Sequence, residues 1–468
     1  MTNHAMAQDA SSPFISDDTR QLAAYIVGAG FEQTPEDVLE KARHHLLDTL
    51  AAMVSGSRLR AGVLAGAYLA SIGGRGRCNV AGTRLQTSAV DAALANGMMA
   101  HGDETDDSHL GGRFHPGCGI VPCVLAAAQL KPANGLAMLR ALALGYDVGA
   151  RFNVSLGPRK LYAGGHSTHS VGPLFGGAAA AASLMHLNEE KVRYVLAYTV
   201  QQASGVQCWS RDEHHVEKAF DFGGMPARNA MASATMVSSG FTGVPDALAG
   251  PNNFFSAFST DPRPKELVSE LGSRYEILQA TIKKWCVGSP IQGAIDAVLA
   301  LMKDHGLTAS NLQQLVIELP DDRCQLVNNR HMPNINVQHL VALTLVDGGL
   351  NFESSHDHGR MLDPAVLLVK SKIDLQPNES LTSALPPRQV IISATTHDGR
   401  EIRHHAKAVR GTPDDPMTRA EVMEKAIDLM APILGTAQAS ELTQEVMNLD
   451  TVNNAGARLG ALISADPA

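Results

Sequence analysis

Through the first half of the chain apolar residues recur at helical spacing, in Ala/Leu-rich segments separated by glycine. The stretch TPEDVLEKARHHLLDTLAAMVSG shows the pattern, with Thr34 placed to cap, Pro35 at the first helical position and Gly56 stopping the run. Segments of this kind between 17 and about 157 predict antiparallel helices. Further helices are predicted over 88–99, 119–130, 135–152, 173–186, 189–204 and 227–239. The alanine run 178–182 reads as close helix packing, and residues 1–15 read as a disordered tail.

After about residue 258 the pattern changes to β-branched alternation, in YEILQATI (275–282), LQQLVIEL (312–319) and RQVIISATTHDGREIRHHAKAV (388–409). The last carries a hairpin turn at Asp398-Gly399. These segments predict a smaller α+β domain over 263–411. The helical period returns over 418–434 and 438–447, so 412–468 is expected to rejoin 16–262 in one all-helical domain. The expected fold class is mainly α with an inserted α+β part, and 468 residues exceed what one ordinary core organises.

Composition narrows the function classes. Apolar residues make up 44% and aromatics 4%, dominated by side chains that lose little entropy in a helix. A formal net charge of -9 argues against nucleic acid as a partner, because neutralising phosphates requires a concentrated basic stripe. No apolar run reaches the roughly 18 residues of a membrane span. The six cysteines form no CxxC pair, which suits a reduced, cytoplasmic protein and offers no metal-binding thiol motif.

Four stretches carry candidate chemistry. HGDETDDSHLGGRFHPG (101–117) sets carboxylates beside imidazoles, as general acid/base work requires, although a solvated capping loop has the same composition. AGGHSTHSVGPLFGGAAAAA places His166 and His169 just ahead of a long helix, where free amides favour a bound carboxylate; a small-residue packing surface reads almost as well. DEHHVEKAFDFGGMPAR sets Lys218 and Arg228 around a Gly-Gly step, an anion clamp or plain surface charge. In IKKWCVGSPIQGAIDA, Lys283 and Lys284 precede a turn, and solvated lysines at a strand end are the bland alternative.

In this order the four stretches resemble the MmgE/PrpD family, which includes 2-methylcitrate dehydratase, cis-aconitate decarboxylase and iminodisuccinate epimerase. The family's HxxDxDD…HP pattern is similar to His101, Glu104, Asp106, Asp107 and His115-Pro116, with Glu104 where relatives carry Asp and one extra residue before His115. Its GxHPT-like segment resembles 164–168, its Lys-to-Gly step Lys218 and Gly223, and its GFTG and LxG signatures 240–243 and 248–250. Ser289 and Gln292 stand where the family has Arg and His, and His339 stands near its tyrosine. The absence of Cys or His ligand spacing points to no metal and no cofactor. The resemblance implies a two-domain homodimer with its site between the domains and a small polycarboxylate as its molecular partner. It implies His166, His115, Lys218, Lys283 and Glu104 as catalytic residues. Ser108, Asp107, Gly165, Ser289, Gln292 and His339 are implied in substrate binding.

The expected chemistry is metal-independent proton abstraction next to a carboxylate. A base removes the weakly acidic proton while cations stabilise the developing charge. A lysine at its ordinary pKa is protonated at neutral pH, so Lys218 and Lys283 read as charge stabilisers and His166 as the base. A 2-methylcitrate dehydratase-like lyase is the leading expectation, with epimerase or decarboxylase as alternatives. Two other classes compete: a non-catalytic acid-binding protein, and a metal-dependent hydrolase using His101, Asp103, Asp107, His109 or His115.

Overall fold

The computed structural model describes residues 14–30 and 33–466. The tail expected over 1–15 lies outside the described residues as far as residue 13. Ser16 caps the first helix, Asp17–Gly28, and its hydroxyl also reaches Asp246 at 2.7 Å.

Two separate hydrophobic cores organise the chain. The larger is built on helices Glu36–Gly56, Ala89–Ala100, Gly117–Leu130, Gly135–Ser155, Thr168–Leu184 and Met225–Ser238. Helix Arg419–Leu434 packs on Glu36–Gly56, and Ala455–Leu462 packs on Gly117–Leu130, so the C-terminal segment shares this core. Its members run without interruption to Cys286 and resume at Met417. The helix expected to begin at Pro35 begins at Glu36, with Pro35 itself as N-cap and no side-chain cap bond. Thr34 therefore does not cap.

The inner helices approach closely because their contact faces lack side chains. A Cβ on Gly176 would lie 2.3 Å from the carbonyl oxygen of Gly145, so helices Thr168–Leu184 and Gly135–Ser155 are packed almost backbone to backbone. The alanine run 178–182 lies on the first of these and is buried throughout. It is packing, as expected.

The smaller core runs from Val287 to Ala406. Its sheet has the order Ile373–Asn378, Leu312–Pro320, Val390–Thr396, Glu401–Ala406, with the first pair parallel and the other two antiparallel. Leu315, Ile317 and Leu319 alternate inward, and helix Gln292–His305 packs against the Val390–Thr396 and Glu401–Ala406 strands. The parallel edge strand Ile373–Asn378 was not expected, since IDLQPN has a weak apolar pattern and Pro377 is tolerated only at an edge. The strand expected over 275–282 is corrected too. It forms a tight turn, Glu276–Gln279, and a two-residue strand, Ala280–Thr281, and its Ile277, Ala280 and Ile282 belong to the helical core.

The chain passes between the cores twice, at adjacent places: the amide of Ile282 donates to the carbonyl of Gly411 at 3.1 Å. No helix among the described residues is long and apolar enough to cross a membrane. Replacing Gly176 with Ala should destabilise the protein by about 1–3 kcal/mol, because a backbone atom at the contact cannot yield as a side chain can, and this exceeds the helix-propensity gain of up to about 1 kcal/mol. Denaturant unfolding checks it; unchanged stability would mean that the helices separate freely.

Candidate active site

Helix Ala89–Ala100 ends at His101, where the acidic loop begins. Residues Ser108–His109 pair antiparallel with Ala280–Thr281, and that short ladder delivers Lys283 to the loop. Lys283 is fully buried and donates to the backbone carbonyl of Glu104 at 2.8 Å, with its ammonium 3.4 Å from Glu104 Oε2 and 3.7 Å from Asp106 Oδ1. Lys218 donates to the other Glu104 oxygen, Oε1. The buried carboxylate is thus held between two ammonium groups.

Asp106 binds two imidazoles, accepting from His101 Nδ1 at 2.9 Å and His115 Nδ1 at 3.0 Å. A carboxylate only accepts, so each of these Nδ1 atoms carries hydrogen and, in a neutral ring, leaves Nε2 with its lone pair. His101, His115, His169 and His215 gather around Phe222. Its ring stacks on His169 at 3.8 Å and on His101 at 4.3 Å, and His115 lies 4.9 Å from His101 and 5.4 Å from His169. His215 lies 5.1 Å from His101. The Lys218 ammonium stands 5.2 Å above Phe222 and 5.7 Å from Trp209.

Phe222 is held there by a locally widened helical turn, Phe220–Gly224, seated against helix Ala89–Ala100. A Cβ on Gly223 would lie 2.1 Å from the carbonyl oxygen of Gly97, so only glycine allows this approach. His215 has a left-handed backbone, φ 57°, and precedes Lys218 by one helical turn. That offset turns both toward Glu104 and His101.

Burial raises the Glu104 pKa, but Lys218, Lys283, His215 and His101 outweigh it and hold the carboxyl well below its ordinary value. Burial likewise opposes ionisation of Asp106, and His101 and His115 more than reverse this. Burial pushes His101 down despite Asp106, pushes His169 far down with help from His115 and Lys218, and takes His215 to about 3. The pattern is two ionised carboxylates beside two lysines, with His101, His169 and His215 kept neutral. His101 Nε2, His215 Nε2, His169 Nδ1 and Ser108 Oγ are buried without a hydrogen-bond partner among the described residues. Buried polar atoms left open in this way mark a place for a polar ligand.

Of the residues implied by the sequence, Glu104, His115, Lys218 and Lys283 come together, with Ser108 on the same loop. His166 does not join them. It is exposed, just ahead of helix Thr168–Leu184, with its ring 6.1 Å from Phe258, whereas His169 in the first turn points into the cluster. Gly165, at φ 88°, shapes the same exposed turn. Asp107 is turned inward: His45 Nδ1 at 2.7 Å, the Tyr146 hydroxyl at 2.5 Å and the Gly117 amide at 2.9 Å occupy its oxygens. Gln292 is engaged with the backbone of Trp285 and Val287, which closes the turn containing Ser289. His339 is buried in the sheet-bearing lobe, where burial, then Lys370 and Arg360, take it down to about 4. Asp107 and Gln292 are thus engaged by protein groups, and His339 is enclosed in the other lobe with its Nε2 buried and without a hydrogen-bond partner among the described residues.

His169, His215, Phe222 and Trp209 were missed as site residues. The available signal was spacing, since His215 and Lys218 lie one turn apart, as do His166 and His169, whose inward member depends on where the helix begins. Two overlapping groups, His101–Asp106–His115 and His101–Glu104–His215, bring metal-capable atoms within 4.8 Å of one another. The second suits a cation poorly, because two ammonium groups already neutralise Glu104; in the first, Asp106 holds both rings through Nδ1 and leaves their Nε2 atoms to accept. His109 faces Glu276 at 3.2 Å, and Asp103 faces His356 at 2.7 Å.

A mainly helical frame with a Lys–Glu–Lys arrangement beside an Asp–His pair defines a class of site suited to binding an anion and moving a proton. The MmgE/PrpD N-terminal domain matches residues 20–267 and the MmgE/PrpD C-terminal domain residues 285–451, and the chain belongs to this family. It is 24% identical to a cis-aconitate decarboxylase-like protein of Aspergillus oryzae, over 96% of this chain and 97% of that one. Two cis-aconitate decarboxylase sequences of Aspergillus terreus are each 22% identical over 96% of both chains.

Beside the stack, Asp221 accepts from the Ser167 hydroxyl, and burial pushes its carboxyl up to about 7. Between its ordinary 3.8 and about 7 the folded protein keeps a proton that the unfolded chain releases, so this group's contribution to stability falls as pH rises through that window. Asp221→Asn should flatten the pH dependence of the unfolding free energy there. An unchanged slope would show that Asp221 titrates normally.

Proposed function

We propose that this chain is a metal-independent lyase that moves a proton next to a carboxylate of a small polycarboxylic acid, and that the reaction is loss of water, as in a 2-methylcitrate dehydratase-like enzyme. The observation that carries this reading is the Asp106-bound His115 beside Glu104 and its two lysines. Asp106 orients the ring and stabilises the imidazolium formed when His115 Nε2 takes the proton. Lys218 and Lys283 supply positive charge where the substrate's carboxylates and the developing carbanion need it. The departing hydroxide takes a proton and leaves as water, and the electron pair of the broken C–H bond forms the new C=C bond. The imidazolium formed at His115 carries the proton that can be returned to the leaving hydroxide, whereas His101 and His169, held neutral by burial, act as acceptors. His166, exposed at the start of its helix, suits a role at the site entrance better than that of base.

A decarboxylase is the second reading, favoured by the cis-aconitate decarboxylases among its Aspergillus relatives. In that case carbon dioxide leaves, its bonding electrons remain on carbon, and an imidazolium protonates that carbon. Gln292, standing where the family has His, is held by backbone groups and has no proton to give, which favours the hydro-lyase. The reading extends to a cytoplasmic homodimer. Free cysteines suit a reducing compartment, and Val63, Leu64, Tyr68 and Ile72 form an exposed apolar stripe on helix Arg60–Ile72 that a second copy would cover.

Four measurements test this. Incubation in deuterium oxide with a panel of C4 to C7 di- and tricarboxylates should show exchange at a carbon next to a carboxylate, with net loss of water rather than carbon dioxide. His115→Ala should lower kcat about 10²- to 10⁴-fold, as expected for a general acid/base, while His166→Ala retains most turnover. The reverse result would return the base to His166. Chelator-treated enzyme should keep its activity; loss restored by added metal would overturn the metal-free reading. Sedimentation at micromolar concentration should give a dimer, and a monomer of ~50 kDa would remove that part of the proposal.

A further inference from the structure

The acidic loop is also gripped from the other lobe. Asp103, the residue before Glu104, has one oxygen bound by the Thr105 amide at 2.9 Å and the other by the Thr105 hydroxyl at 2.7 Å. That second oxygen also receives His356 Nε2 at 2.7 Å. His356 ends the short helix Phe352–His356, in the segment that follows the sheet-bearing lobe's helix Val337–Asp347. Asn351 fixes this helix with a reciprocal cap to Ser354. Phe352 packs against the helical core, and its amide lies 3.4 Å from Asp428 on helix Arg419–Leu434. The turn therefore bridges the two lobes at the site.

Hydrogen-bond chemistry fixes the charge of this ring. Nε2 faces a carboxylate, and Nδ1 lies 2.9 Å from the carbonyl oxygen of Phe352; both are acceptors only. Ser355 Oγ is 3.0 Å from Nδ1, but its hydrogen goes to the same Phe352 carbonyl at 2.9 Å. Both ring nitrogens must then carry hydrogen, which makes His356 an imidazolium. The ionisable surroundings agree. Burial disfavours the charge, Asp103 more than restores it, and the His356 pKa is raised. Lys425 and Asp428 stand on helix Arg419–Leu434, and Lys425, His215 and Cys286 lie within electrostatic reach of Asp103. The amide nitrogen of Asn334, itself a donor and uncharged, lies 3.3 Å from Nε2, farther than the Asp103 oxygen at 2.7 Å to which Nε2 donates.

We propose that His356 is a positioning residue: its imidazolium ties Asp103 to the sheet-bearing lobe and so holds the loop that presents Glu104, Asp106 and Ser108. The inference rests on the lyase reading for its kinetic consequence but not for its physical one. A charged tether fails when the ring loses its proton. Above the raised pKa of His356 the Nε2 to Asp103 hydrogen bond and its charge are weakened together, the loop loosens, and substrate binding weakens before the chemical step does.

The test joins NMR with kinetics. In the wild-type full-length enzyme, nitrogen-detected imidazole spectra at pH 7 should contain a doubly protonated ring whose signal vanishes in His356→Gln. That substitution keeps a neutral donor at the position of Nε2, so it should restore most activity and remove the alkaline fall in kcat/KM that the wild type shows. His356→Ala should lose roughly 10- to 100-fold in kcat/KM, mainly through KM, with faster amide exchange over residues 101–109, as a misplaced site predicts. A neutral His356 at pH 7, or an alkaline limb identical in wild type and His356→Gln, would overturn the proposal. The spectra need no substrate. A protein that turned over no polycarboxylate would sink the lyase reading alone, and a neutral ring would sink this one.

Discussion

Glu104 is a carboxylate withdrawn from water, and it remains ionised there because Lys218 and Lys283 reach it from segments more than sixty residues apart in sequence. Removing a charge from water costs several kcal/mol per ion even after relaxation, so the arrangement persists only if every partner is correctly placed. The rest of the site follows from that requirement. The ladder between Ser108–His109 and Ala280–Thr281 sets Lys283, and the turn between His215 and Lys218 sets the other ammonium. The loop between them is then stretched across both Asp106 and Asp103.

Phe222 performs the complementary task on the apolar side. Sandwiched between His101 and His169 and covered by Lys218, it keeps the imidazoles apart and dry. Dryness is what lowers their basicity, since a charged ring would lose solvation there. An imidazole kept neutral at physiological pH can accept a proton, whereas one already charged cannot. The widened turn that carries Phe222 and the glycine contact beneath it are thus part of the chemistry, although no atom of either need touch substrate.

The two lobes contribute unequally. The helical core supplies the histidines, Asp106, Glu104, Lys218 and Lys283, and the sheet-bearing lobe supplies the imidazolium on Asp103. Buried ion pairs between lobes are orienting devices more than sources of stability, because their attraction is largely offset by lost hydration. Lys425 does the same from the C-terminal segment, binding Asp48 at 2.6 Å and the carbonyl of Thr105 at 3.0 Å. One loop is held from three sides of the molecule.

The sequence by itself determined the fold class, the long helices and the polar stretches that hold Glu104, His115, Lys218 and Lys283. Helical periodicity is local, and a run of ionisable residues between apolar helices is visible without coordinates. It also carried the family, since the ordered motifs span the whole chain. Only the tertiary structure decided which member of each pair faces inward. His166 and His169 differ by three residues, and a helix that starts at Thr168 rather than Pro173 turns the second inward and leaves the first outside. Asp107 and Gln292 look like ligands for substrate in one dimension, but His45, Tyr146 and the backbone of Trp285 claim them in three. His356 gives no local signal at all. Its charge is set by a carboxylate some 250 residues away in sequence, and such a contact exists only once both lobes have packed.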